Sequence, residues 1–375
     1  MDSLEKLFLF QRTKECTLLG VGPMSKNCVD MTIELANKFD VPLMMIASRR
    51  QIECKDLGGG YVNNWSTEDF ADYVSQKDIK KNIILCRDHG GPFQGKDGKE
   101  IEFEKSMQNA KKSFLVDIKS NFKILHIDPS GYLDGKCGIE EMLPIIQELY
   151  EFCYSQAKEN GKEIFIEISI GREDGGIHEY EDVKHAISNI ESFCAEKKLP
   201  LPLFIVIRTG NYVMETRNIG IFEDIVSGKR KNDEENIRKI IELCNQKSIM
   251  IKEHNADYIS EDALRFHTNL GIHAINVAPE FGVTETRSLL KWFEVNKMEN
   301  ERKQFLDTSL RSNKWKKWII PNSEVTDYGK SVISGHYIFS EVNIANLMEK
   351  ENVKIHLKKD LEENHLKYMK CLKLI

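Results

Sequence analysis

The run IILCRDHGGP, residues 83–92, holds the residues best suited to chemistry: an apolar strand that stops on Asp88 and His89 and then breaks on two glycines. Apolar residues fix such a strand in a core, the glycines let the backbone turn sharply, and the acid and the imidazole are left at the rim. His89 could then ligate a metal, with Asp88 beside it to move a proton. On its own the run fits a blander reading better, in which Asp88 caps the next segment and His89 is merely polar. The placement of similar residues along the rest of the chain shifts that balance.

Eight short, apolar runs recur along the chain, at 17–23, 41–48, 82–88, 123–129, 163–169, 201–210, 249–254 and 272–279. Amphipathic stretches separate them, among them 29–39, 140–160, 185–197 and 236–247. Regular alternation of this kind predicts a parallel sheet, and eight strands close a (β/α)8 TIM barrel. An open, doubly wound sheet is the rival. It lacks support, because no GxGxxG follows the first run and no GxxxxGK[ST] occurs.

Polar residues fall at or near the C-terminal ends of these runs: Arg49, Arg50 and Gln51 after Ser48, Asp88 with His89, Asp128, Glu167, Arg208 with Thr209, Glu253 with His254, and Asn276. In a barrel those ends converge on one mouth, where such barrels do their chemistry. His89, Glu167 and His254 end the third, fifth and seventh runs, as ligands surrounding one ion from separate strands must. Taken singly, His254 reads as a hydrogen-bonded loop histidine and Glu167 as a partner for a lysine. Together they form a nitrogen and oxygen set that suits a divalent metal, zinc best, with manganese, cobalt or iron compatible. His178, in the loop after the fifth run, is a candidate further ligand. His126 points to the same side of its strand as Asp128, whereas His185 and His267 fall on predicted helices and read as structural.

A cation beside a carboxylate suits deprotonation next to a carbonyl. Asp88 is the expected acid/base group. Asp128 or Glu173 could assist, the latter on a glycine-flanked loop able to close over substrate. Aldol or retro-aldol cleavage, or inversion of a centre next to a carbonyl, is the chemistry this predicts.

The remaining composition narrows the partners. The 375 residues are 41% hydrophobic, enough for a sizeable core. With 53 basic against 59 acidic residues and a net charge of −6, there is no global case for nucleic acid or an anionic membrane. Nine scattered cysteines without a CxxC pair argue against a disulfide framework or a zinc finger. A reducing cytoplasm is the expected compartment, since the first residues lack a signal-peptide pattern and no apolar run reaches the roughly 20 residues of a membrane span. The barrel is expected over 1–300. Residues 301–375 read as a mixed, helical extension whose Trp315, Trp318, His336 and Tyr337 either cover the barrel mouth, meet a neighbouring subunit or simply dock the segment.

Five stretches together resemble the class II, metal-dependent ketose-bisphosphate aldolases, and within them the branch called the non-catalytic subunit of tagatose-bisphosphate aldolase. They are residues 47–74, 84–95 (ILCRDHGGPFQG), 124–130 (ILHIDPS), 166–176 (IEISIGREDGG) and 252–290, and they cover most of 15–295. The resemblance implies that Asp88 and His89 supply acid/base and first ligand, that His254 is a ligand, and that Asn276 faces substrate. The departures are equally specific. No histidine occurs in RTGNYVMETRN (208–218), so Glu167 or His178 would complete coordination. NADYIS (255–260) replaces the glycine-serine phosphate loop, putting Asn255 and Asp257 at the substrate. NVAP ends on Pro279, which removes both a hydroxyl and an amide donor. Arg49, Arg50, Arg172, Arg208 and Arg217 near the mouth suit a carboxylate or phosphate, because a planar donor fork matches either anion.

Three functions follow. The leading one is a lyase of the aldolase type acting on a phosphorylated or acidic ketose. An epimerase of a keto sugar or uronate is second, favoured by loss of the phosphate loop. Third is a stabilising subunit without chemistry of its own, favoured by the missing histidine. A homo-oligomer, and in the third case a partner aldolase subunit, is expected from the resemblance.

Overall fold

A computed structural model describes residues 3–96, 102–131, 138–171 and 176–375. All eight predicted runs form strands: β1 (Leu18–Val21), β2 (Leu43–Ser48), β3 (Ile83–Gly90), β4 (Ile124–Ile127), β5 (Phe165–Ser169), β6 (Phe204–Val206), β9 (Met250–Glu253) and β10 (Ala274–Val277). They close one parallel barrel, with β1 paired to both β2 and β10. Between β6 and β9 the chain makes a small antiparallel hairpin, β7 (Val213–Met214) and β8 (Arg217–Asn218). The result is a (β/α)8 TIM barrel with C-terminal helices.

Alternation along each strand decides what fills the barrel. Leu18, Met44, Ile84, Ile124, Phe204 and Ala274 form an apolar cluster that the helix Ser3–Thr13 closes from below with Leu4 and Leu7. Two residues further along β3, β4, β9 and β10, the same face turns polar as Cys86 gives way to Asp88, Ile124 to His126, Met250 to Lys252, and Ala274 to Asn276. The opposite strand faces pack against the surrounding helices in the main core. An apolar base beneath a polar layer is therefore written into the period-two pattern.

Arg87, between the inward residues of β3, points the other way. It is fully buried, paired with Asp117 at 2.6 Å, and donates at 2.8 Å to the carbonyls of Ala47 and Ile52. One guanidinium thus ties β3 to the end of β2 and to the helix Phe103–Lys119.

After the helix Pro279–Val295, four helices follow: Glu299–Arg311, Asp327–Ser334, Val342–Met348 and Glu351–Cys371. The last returns to the barrel. Its His365 ring stacks on Phe281 with centroids 4.1 Å apart, Lys367 pairs with Glu280 at 2.7 Å, and Leu361, Tyr368 and Met369 join the main core. Others gather in a separate cluster with Trp292, Phe293, Phe305 and Ile338. The turn Lys314–Trp318 is pinned to the hairpin, because the Glu215 amide donates to the Trp318 carbonyl at 2.6 Å. Among the described residues every cysteine is free and buried, and no helix is long and apolar enough to cross a membrane.

Candidate metal centre

His89 is aimed by a break in its strand. The β3–β4 register shifts between Arg87 and Gly90, and His89 sits in the left-handed region at φ 44°, where side chains other than glycine are strained. Asp128 fixes its ring: the carboxylate lies 2.7 Å from His89 Nδ1, which leaves Nε2 toward the centre, 3.7 Å from Asp88. A carboxylate behind a histidine holds the tautomer that a metal needs. Asp128 is nearly fully buried, and its other oxygen accepts from the Ser130 amide. Its place is behind His89, where the sequence had suggested a share in proton transfer at the substrate.

Three imidazoles face one another, with ring centroids 5.0 Å apart for His89 and His254, 5.4 Å for His89 and His126, and 5.1 Å for His126 and His254. Among the described residues two overlapping groups could hold a metal ion: His89, His126 and His254, and Asp88, His126, Glu167 and His254, with ligand atoms in each within 4.8 Å of one another. They come from β3, β4 and β5 and from the end of β9. Glu167 Oε1 is 3.1 Å from His254 Nε2, and Asp88 Oδ1 is 3.8 Å from the same nitrogen. His126 Nδ1 accepts from the His89 amide at 3.1 Å, so its lone pair serves either that amide or an ion. His126 and His254 belong to both groups, and His89 shares a group with neither Asp88 nor Glu167.

Lys252 completes the layer. It is 1% exposed, and its ammonium lies 2.6 Å from Glu167 Oε2. Burial raises the Glu167 carboxyl, yet Lys252, His126 and His254 outweigh it and hold the group down at about 2. Burial likewise opposes ionisation of Asp88, and the facing imidazoles of His89, His254 and His126 overcome it, leaving Asp88 far below the usual carboxylate range. Asp128 is lowered in the same way against its burial, chiefly by His89. The carboxylates of Asp88, Asp128 and Glu167 are thus held ionised by positive charge facing them, from the imidazoles and from Lys252. A dication seated among them would supply the same positive charge with the imidazoles neutral. The donor set therefore fits a divalent metal.

The centre forms the base of a cavity of about 510 Å³, within the range of small-molecule sites. Asp88, His89, His254 and Asn276 line its depth, and Arg50, Gln51, Asn255, Asp257, Lys317 and Tyr337 are among its walls. Asn276 donates to Asp88 Oδ1 at 3.2 Å, while its own Oδ1 is buried without a hydrogen-bond partner among the described residues. Only glycine fits opposite, since a Cβ on Gly20 would collide with that oxygen.

Other expected site residues are placed differently. Arg49 is buried outside the cavity, paired with Glu53 at 2.6 Å and donating to the Gly91 carbonyl. His178 lies in neither candidate ligand group, and its Nδ1 accepts from the Arg208 amide at 3.0 Å. Arg208 is not among the cavity walls. Asp257 reaches the cavity but uses Oδ1 to accept from the amides of Ala278 and Glu280, at 3.0 and 2.8 Å, which caps the helix Pro279–Val295. Arg172 and Glu173 lie outside the described residues. His267, read as structural, is so placed, with Nε2 2.6 Å from Glu253. Two residues of the layer escaped the sequence reading as site members, His126 and Lys252. Both carried a signal: each lies two positions before an expected strand-end residue, on the same face.

No protein-family model matches the chain, and no curated protein matches it. Solved structures do. Over 95% of this chain and 100% of the other, the fold is similar to a probable tagatose 6 phosphate kinase from Sinorhizobium meliloti 1021, at a TM-score of 0.71 and 14% identity. It is also similar to the YdjI aldolase from Escherichia coli K12, covering 98% of this chain and 95% of that one (TM-score 0.51, 13% identity). Fructose-bisphosphate aldolase from Campylobacter jejuni gives a TM-score of 0.55 at 14% identity, covering 100% and 96% of the two chains. At such identities the likeness is one of fold, and the chain shares its barrel with solved aldolases, in agreement with the resemblance to class II ketose-bisphosphate aldolases that its motifs carry.

Proposed function

We propose that this chain is a divalent-metal-dependent lyase of the aldolase type acting on a phosphorylated or acidic ketose. One observation carries the reading: Asp88, His126, Glu167 and His254 converge from separate strands with His89 beside them, and Asp88, His89 and His254 line a cavity of small-molecule size. His126 and His254 would hold the ion, joined by His89 on one side or by Glu167 on the other. The cation supplies positive charge next to the ketose carbonyl oxygen, where negative charge develops as the bond to the neighbouring carbon breaks. Zinc suits these donors best.

The protein's own groups divide the remaining work. Asp88 takes the proton from the hydroxyl whose carbon becomes the aldehyde, and the electrons of the broken carbon–carbon bond pass to the enediolate. In the synthetic direction it returns that proton. Asn276 holds one Asp88 oxygen at 3.2 Å and so orients the other. Asp128 keeps the His89 ring in register, and Lys252 offsets the charge of Glu167.

An epimerase of the same kind is the second reading, favoured by Asp257. A barrel of this type often binds phosphate at the helix N-terminus after its last strands. Here the Asp257 carboxylate already occupies the two amides. Incubation of the metal-loaded protein with ketose phosphates and keto-uronates, followed by product analysis, decides among the readings. Two carbonyl fragments establish the lyase, and a single epimer establishes the epimerase. Absence of any conversion, together with stabilisation of a separate aldolase, contradicts both and leaves the non-catalytic subunit.

A further inference from the structure

The pocket's charge is distributed unevenly between its depth and its rim. Asp88 lies at the centre, and the wall residue Asp257 is engaged by the helix amides. Arg50 and Lys317 are the arginine and lysine among its walls, and among the described residues neither forms an ion pair. Arg49, next in sequence, is consumed by Glu53 and a backbone carbonyl. Arg50 is half-buried, and Lys317 arrives from the C-terminal segment, far from the barrel strands in sequence.

Lys317 is carried on an anchored turn. The Trp318 carbonyl accepts from Glu215 of the β7–β8 hairpin, and Ser323 donates to the Glu215 carboxylate at 2.5 Å. The Trp318 indole donates to the Tyr337 hydroxyl at 3.1 Å. The Lys317 ammonium lies 4.6 Å from the Trp318 ring centroid and 5.5 Å from that of Tyr337. Two aromatic faces thus restrict a side chain that is otherwise costly to order. Among the described residues this lysine contacts rings alone, and on a turn fixed to the barrel mouth it retains its hydrogen-bonding capacity for a ligand.

We propose that Arg50 and Lys317 form the subsite for a remote anionic group of the substrate, a carboxylate or phosphate ester at the end of the carbon chain away from the reacting carbonyl. This rests on the ketose reading above. It also accounts for the departure at Asp257: the helix terminus that would have taken a phosphate is filled by the protein's own carboxylate, and anion recognition moves to the appended segment. Specificity is thereby set jointly by a residue at the end of β2 and one beyond the barrel, while the chemistry stays on the strands.

The test measures binding apart from turnover. The full-length Asp88→Asn protein is titrated calorimetrically with D-fructuronate, D-fructose 6-phosphate and D-fructose, which share a skeleton and differ at the last carbon. One or both anions are expected to bind at least about tenfold more tightly than D-fructose, as fork-type and ammonium contacts to an anion provide. The arm that shows the preference tells carboxylate from phosphate. Adding Arg50→Gln or Lys317→Gln reduces the preference to about threefold or less while leaving the thermal unfolding midpoint in place, and Lys317→Arg retains it. Absence of a preference, or a preference that survives both glutamine substitutions, overturns the subsite. The two readings fail separately: discrimination without turnover in the wild type keeps the subsite and removes the reaction, and turnover without discrimination does the reverse.

Discussion

Asp88→Asn is expected to lower turnover by about 10²- to 10⁴-fold, the range attributable to a positioned acid/base group, with the barrel still folded. Asparagine keeps the shape and can still accept from Asn276, whose amide lies 3.2 Å from Asp88 Oδ1. What it loses is the capacity to take a proton. Because the side chain also borders the possible ligands, the comparison is made at saturating metal, with metal content measured on the same samples. A fall in turnover at unchanged metal content assigns Asp88 to proton transfer. Turnover equal to wild type removes it from the reaction.

Lys252→Met is expected to destabilise the metal-free protein by about 3–5 kcal/mol, the cost of removing one partner from a buried ion pair. Both partners are 1% exposed, so solvent screens little of this interaction. The pH dependence has a definite sign. In the wild type, Glu167 is held at about 2, so its contribution is present above the ordinary carboxyl range and is lost as the pH falls toward that value. Without Lys252, burial dominates and the carboxyl rises. The variant then holds a proton that the wild type does not, and the stability gap widens as the pH increases from about 4. Urea unfolding of the chelator-treated proteins at pH 4.5 and pH 8 measures it. A gap that is small at both values would mean that Lys252 does not carry the charge of Glu167.

Much of the barrel was legible because two patterns agree. Each strand is a short apolar run, and seven of the eight carry polar residues at or near the end, as a converging mouth explains. The same logic led to His89, Glu167 and His254 as one ligand set; the structure brings His254 close to each of the other two but puts them in different candidate groups. That logic failed for Lys252, because a lysine near the end of IMIKEH reads as a solvated charge unless the inward face of β9 is known. His126 was assigned the correct side of β4 but not a place among the ligands, since its depth relative to Glu167 depends on the β4–β5 register. Asp128 and Asp257 were found as site residues, yet their partners, the His89 ring and the helix amides, are set by tertiary contacts that spacing does not encode. RTGNYVMETRN gave no strand signal, although it contains the hairpin that anchors Trp318. Of the C-terminal segment the aromatic residues were noticed. Lys317, between them, is identified only by the wall it forms.

Equilibrium metal binding tests the central claim most directly: that strands distant in sequence gather one cation site at His126 and His254, completed by His89 or by Glu167. The account predicts one tightly held divalent ion per chain. At a free concentration of about 100 times its dissociation constant the ion would stabilise the fold by about 2.7 kcal/mol. Affinity should fall by at least about 10²-fold in His254→Ala and by about 10- to 100-fold in Asp128→Asn, which loosens the His89 ring without removing a ligand. A wild-type protein that binds no divalent ion, or binds it equally well after both substitutions, contradicts the account.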